Sequence, residues 1–236
     1  MSIAENVADI TKRVDLSAQR SPRNPQEITL MAVAKTVSAD RIREAYDAGI
    51  RVFGENRVQE FASKADALRN LAEAEWHLIG HLQSNKSAKA TELFGHVDSL
   101  DSIRLAEKLN SAASQFGKQL SILIEINIGS EQAKSGVAPD SPELESLLGI
   151  APELSSLEFR GLMTVPPYNE DPEQSRPYFR RMRALFEQIR SRNLQAIRMD
   201  VLSMGMSHDF EVAIEEGSTC VRIGTAIFGE RVPQAG

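Results

Sequence analysis

Short aliphatic runs alternate with amphipathic stretches along this chain, and the alternation limits its fold more than any other feature. The runs lie at 28–36, 50–54, 76–80, 96–99, 119–126, 157–163, 199–203 and 219–223. Each is short, apolar and bounded by turn residues, as a buried parallel strand is. Between them, 38–48, 56–71, 84–94, 102–116, 141–148, 172–192 and 207–216 carry apolar residues at helical spacing. In 172–192 the inward residues are Tyr178, Met182, Leu185, Phe186 and Ile189. A leading helix over 3–20 places Ile3, Val7, Ile10, Val14 and Leu16 inward, and a short helix follows from Thr225. Strands alternating with helices indicate βαβ units and a parallel sheet. Eight such units in 236 residues favour a single (β/α)8 TIM barrel with an extra N-terminal helix, spanning residues 1–236 as one domain. A doubly wound open sheet is the alternative, but no Gly-x-Gly-x-x-Gly follows the first strand.

The first run, Ile28-Thr29-Leu30-Met31-Ala32-Val33-Ala34-Lys35-Thr36, ends in an amine. Strand side chains alternate, so Thr29, Met31, Val33 and Lys35 share one face. In a closed barrel that face points inward at the C-terminal end, where partial desolvation favours a neutral, nucleophilic amine. A strand-end lysine reaching out to solvent is the other reading.

Composition narrows the class of function. Hydrophobic residues, 42% of the chain, suffice for a core, and the net charge of −6 argues against nucleic acid. One cysteine, Cys220, permits no internal disulfide and fits a reduced, cytoplasmic protein. The N-terminus has neither a basic region nor an apolar core of a leader, and no stretch reaches the length of a membrane span. A soluble monomer without membrane or nucleic-acid partners is expected.

In a TIM barrel the site lies at the C-terminal mouth, and phosphate commonly binds the loops after strands seven and eight. Here those loops are Met204-Gly205-Met206-Ser207 and Gly224-Thr225, each with a glycine and a hydroxyl at a helix start. Backbone N–H groups there, with Ser207 and Thr225, can cup a phosphate; ordinary helix caps would look alike. Arg222 interrupts an apolar strand on the face of Cys220, and an inward guanidinium needs a partner. Glu55 or Asp200 could pair with it, or it could face the ring nitrogen of pyridoxal phosphate. An amine, a phosphate cup and an inward arginine on three strands around one mouth are what that cofactor requires. The four histidines predict no metal site: His77 and His81 are four apart, but across a strand-to-loop junction and not on a helix.

Ala34-Lys35-Thr36, Phe53-Gly54-Glu55-Asn56 with Val58-Gln59-Glu60, the run from His77 to Lys86, Ser203 to Ser207, and Val221 to Thr225 through Ile227-Phe228-Gly229 together resemble the YggS/PROSC family of pyridoxal phosphate homeostasis proteins. The resemblance implies a fold-type III barrel like the N-terminal domain of alanine racemase, carrying pyridoxal phosphate as an aldimine on Lys35. It implies phosphate contacts at Ser207, Gly224 and Thr225, Arg222 at the ring nitrogen and Asn56 in the ring environment. The implied role is to buffer cofactor and deliver it to recipient apoenzymes, with influence on amino-acid and keto-acid balance and no catalytic residues. A fold-type III racemase and a Schiff-base aldolase are the competing functions. The racemase needs a second acid/base group, for which Tyr168, in the loop after strand six, is the local candidate.

Overall fold

The computed structural model describes residues 1–131 and 135–229; residues 132–134 of the loop read at 127–139, and residues 230–236 of the expected domain, lie outside them. Eight parallel strands close into a barrel in chain order, the last pairing with the first. They are β1 (Thr29–Val33), β2 (Val52–Glu55), β3 (Glu75–Leu78), β4 (His96–Leu100), β5 (Leu120–Ile126), β6 (Leu157–Thr164), β7 (Ile197–Met206) and β8 (Cys220–Ile223). The helices are α1 (Ile3–Arg20), α2 (Ala39–Asp47), α3 (Val58–Leu68), α4 (Ser87–Leu93), α5 (Ile103–Gln115), α6 (Pro142–Ile150), α7 (Arg176–Ser191), α8 (Phe210–Glu215) and α9 (Thr225–Phe228). The closed barrel excludes the open doubly wound sheet.

The leading helix starts with a reciprocal cap. Ser2 Oγ accepts the Glu5 N–H at 3.2 Å while Glu5 Oε2 accepts the Ser2 N–H at 2.7 Å, which satisfies two N–H groups that a helix start leaves without partners. Ile3, Val7, Ile10, Val14 and Ala18 bury one stripe, each larger side chain contributing roughly 1.5–3 kcal/mol. Leu16 falls off the stripe and is 47% exposed; the helical period after Val14 passes through Ser17 and Ala18, not Leu16. In α7, Phe179 rather than Tyr178 is fully buried, and Tyr178 only borders the core.

β7 runs longer than its aliphatic core predicts. It takes in Met204, Gly205 and Met206, which read as loop from the sequence. Gly205, at φ +93°, makes this possible: a Cβ there would lie 2.5 Å from Ala213 Cβ. Only glycine lets the strand end press onto α8 at that angle.

An aromatic cluster fixes α3 against the barrel. Trp76 stacks on Phe53 at 5.0 Å and meets Phe61 at 4.6 Å; Phe61 meets Phe94 at 4.9 Å. Trp76 therefore faces the helices, and by strand alternation Glu75 and His77 face the barrel interior. The same alternation turns Met31 and Val33 of β1, and Cys220 and Arg222 of β8, inward, with Met31 level with Arg222.

Candidate cofactor site at the C-terminal mouth

Lys35 stands on the turn after β1, half-buried, two residues past the inward-facing Val33. Its neighbour Thr36 adopts φ 60°, a left-handed conformation that is uncommon for a β-branched residue and persists only where surroundings enforce it. α3 enforces it. Glu60 accepts the Thr36 N–H. Lys64 Nζ donates to the Ala34 carbonyl at 2.8 Å and the Val37 carbonyl at 3.2 Å, one on each side of the Lys35–Thr36 step. Lys64 is anchored in turn by Glu55, at 2.8 Å from its Nζ, and Glu55 is fully buried. Burial pushes Glu55 up to about 7 against the pull of Lys64. The aromatic cluster thus positions α3, α3 clamps the turn, and the turn carries Lys35.

Arg222 is buried at 3% exposure. Its partners are neither Glu55, which pairs with Lys64, nor Asp200, which pairs with Arg160 at 3.1 Å. Instead Nη1 donates to Ser203 Oγ at 2.6 Å and Nη2 to the Thr164 carbonyl at 2.7 Å. Neutral acceptors orient the guanidinium and leave its charge uncancelled by direct contact. Burial pulls its pKa down from the ordinary value, while Cys220, Asp98, Asp209 and Glu125 oppose that pull.

The phosphate cup is built differently from the expectation of two helix starts. α8 begins at Phe210, three residues past Ser207, and α9 is a single turn. The convergence comes from hydrogen bonding instead: Ser207 Oγ lies 3.2 Å from the Gly224 N–H and 3.5 Å from the Ala226 N–H. Two backbone donors and a hydroxyl meet at one point, with the Thr225 side chain exposed beside them. Asp209 holds the strand end below by accepting the Met206 N–H at 2.7 Å. Gly224 packs on Val33 across the β1–β8 seam, where an added Cβ would be in ordinary contact at 3.5 Å, which brings the cup beside the strand that leads to Lys35.

Asn56 occupies the bend after β2, half-buried. Gly80 pins it, since a Cβ at Gly80 would lie 2.3 Å from the Asn56 carbonyl oxygen. Tyr168 is 75% exposed, its ring 5.5 Å from that of His208. One residue was not expected. Glu125 of β5 is half-buried, its Oε2 has no hydrogen-bond partner among the described residues, and burial with the Asp101 charge raises its pKa to about 7 against Arg222 and His81. A polar residue at an inward position of the most aliphatic strand was the available signal. Cys220 is buried, and burial pushes its thiol up to about 12, so it is a small apolar filler rather than a nucleophile.

An amine, a buried cation and an N–H and hydroxyl cup suit an anionic ligand with an electrophilic carbon. The alanine racemase N-terminal domain family matches residues 6–232. The pyridoxal phosphate homeostasis protein of Aquifex aeolicus is 43% identical over 98% of this chain and 99% of its own. PipY of Synechococcus elongatus, whose solved structure has PLP bound, is 36% identical, covering 97% of this chain and 100% of its own with a TM-score of 0.81. Alanine racemase of Clostridium difficile shares the fold at a TM-score of 0.70 and 13% identity, and this chain spans 58% of it. The chain belongs to the family of pyridoxal phosphate homeostasis proteins, built on the alanine racemase N-terminal barrel.

Proposed function

We propose that this chain holds pyridoxal phosphate through Lys35 and buffers and delivers it to recipient apoenzymes, without turnover of its own. The observation that carries the proposal is the clamped, left-handed turn that presents Lys35 at the mouth shared with Arg222 and the Ser207 cup. The donor set fits the cofactor: donors only in the cup, a fixed cation deeper in the barrel, and an amine at the rim. Pyridoxal phosphate, when bound, supplies an aldehyde carbon that an amine can hold and a ring that can accept electrons.

Each residue then has one task. Lys35 Nζ holds the aldehyde carbon. Ser207, Thr225 and the backbone N–H of Gly224 bind the phosphate oxygens. Arg222, a donor that stays charged at ordinary pH, would meet the ring nitrogen and disfavour a second positive charge there, which would weaken the ring as an electron sink. Asn56 borders the ring. Racemisation needs a second positioned acid/base group on the opposite face, and exposed Tyr168 is poorly placed to be one. The relatives' shared name, homeostasis protein, supports the same reading. The chain acts as one cofactor-binding domain and a monomer, in the cytoplasm; among the described residues no helix is long and apolar enough to cross a membrane.

Reconstitution tests this. Cofactor-free protein mixed with pyridoxal phosphate should develop the visible absorbance of a lysine-bound cofactor. Alanine in deuterated buffer should show no enzyme-like loss of its Cα proton signal. Rapid exchange that disappears in Tyr168→Phe would replace the carrier with a racemase.

A further inference from the structure

At the opposite mouth, the barrel register assembles side chains that the cofactor reading does not use. His77 of β3 and His96 of β4 are direct register partners. Their rings stack at 3.9 Å and 10°. Glu75 lies two residues before His77 on the same strand face. Its Oε2 is 4.0 Å from His77 Nε2 and 3.7 Å from His96 Nε2. One oxygen and two ring nitrogens thus converge within 4.8 Å of one another without hydrogen-bonding each other. His81, the other candidate by spacing, is not part of this group; it pairs with Asp101 at 3.1 Å.

We infer that Glu75, His77 and His96 form a binding site for a divalent transition-metal ion of the zinc class. The donor set, two imidazoles and a carboxylate, suits zinc, cobalt or nickel and not magnesium or calcium. Tetrahedral bonds of about 2.0–2.1 Å put ligand atoms roughly 3.3 Å apart, so closing onto the ion draws the ligand atoms together and tilts the two rings out of their parallel stack. A partner fixes the ring orientation. Asp98 accepts from His77 Nδ1 at 3.0 Å, which leaves Nε2 as the ligand atom, the carboxylate–histidine–metal arrangement. That Nε2 is buried and has no hydrogen-bond partner among the described residues. Glu75 is 58% exposed and His96 25%, so an ion can enter from solvent and keep water in its remaining position.

The test is titration of the cofactor-free protein with Zn²⁺ by calorimetry and with Co²⁺ by visible absorption. One ion should bind per chain, and Co²⁺ should give the absorption of a low-symmetry, nitrogen-containing site. Glu75→Gln and His96→Gln, both at part-exposed positions, should each weaken Zn²⁺ by at least about tenfold with unchanged circular dichroism. Lys35→Ala should bind Zn²⁺ like wild type, which separates this site from the cofactor site. Should either variant misfold, paramagnetically shifted imidazole protons of wild-type protein with Co²⁺ still report two histidine ligands. Absence of stoichiometric binding, or binding undiminished in the double variant, would overturn the site.

Discussion

At the C-terminal mouth the lysine turn is held by a helix outside the barrel and Arg222 by two neighbouring strands; at the N-terminal mouth the polar groups are held by one another. Lys35 and its turn depend on Glu60 and Lys64 of α3, and Arg222 depends on Ser203 and the Thr164 carbonyl. Glu75, His77, His96 and Asp98 need no such shell, because adjacent strands in register already place them side by side. Loops have freedom that must be removed by contacts, whereas strand positions inherit their geometry from the sheet. The upper mouth should therefore be sensitive to changes several residues away, the lower one only to its own side chains. The protonation of the two also differs. Burial raises Glu125 and Glu55 above, each to about 7. Below, burial works to lower His77 but Asp98 and Glu75 together lift it to about 9, while burial and the His77 charge push His96 down to about 4.

The largest effect should come from cutting the upper clamp. Lys64→Met leaves Glu55 buried without its cation, a change that costs about 3–5 kcal/mol. Urea denaturation at pH 8 should show it, and the loss should shrink toward pH 6 as Glu55 takes up a proton. Lys64→Met combined with Glu55→Gln should recover much of the stability but not the cofactor affinity. Wild-type stability in the single variant would remove the clamp from the account.

Next comes the cup. Each hydrogen bond lost to a charged group costs about 1.5–3 kcal/mol, so Ser207→Ala with Thr225→Ala should release pyridoxal phosphate at least tenfold more readily. Pyridoxal, which lacks the phosphate, should bind both proteins about alike. Equal losses for the two ligands would mean that the hydroxyls act elsewhere.

Glu125 has a smaller, pH-signed effect. Its folded pKa lies above the unfolded one, so the folded state holds the proton longer, and stability falls as pH rises from about 4.5 to about 7. Glu125→Gln should remove part of that slope and stabilise cofactor-free protein at pH 8 by about 1–3 kcal/mol. An unchanged slope would show that Glu125 is already ionised and paired.

The smallest effect sharpens the contrast. Glu75→Gln with His96→Gln should leave the cofactor absorbance and its affinity at wild-type values, since surface changes away from a site stay within about 0.5 kcal/mol. A matching loss of cofactor would mean that the two mouths are coupled.

The barrel was legible because its signal is repeated: strand and helix periods alternate eight times, and each unit supports the others. Lys35, Arg222 and Ser207 stood out as polar residues at strand ends or inside apolar strands. Their partners did not. Ser203, the Thr164 carbonyl and Lys64 lie 19, 58 and 29 residues from the groups they serve, and pairing at such distances is a matter of barrel closure rather than local pattern. The N-terminal mouth was hidden for the same reason. His77 and His96 are 19 residues apart, so a reading by local spacing set all four histidines aside. Leu16 and Tyr178 were misplaced by less, because one position's shift on a helix turns an inward residue outward.

The central claim is that the clamped turn makes Lys35 the residue that holds the cofactor. Borohydride reduction of reconstituted protein, followed by peptide mass analysis, tests it most directly. The account predicts one pyridoxyl group per chain, on the peptide containing Lys35, and none in Lys35→Ala protein with native circular dichroism. Labelling of Lys64, Lys86 or any other lysine in the wild-type protein would contradict it.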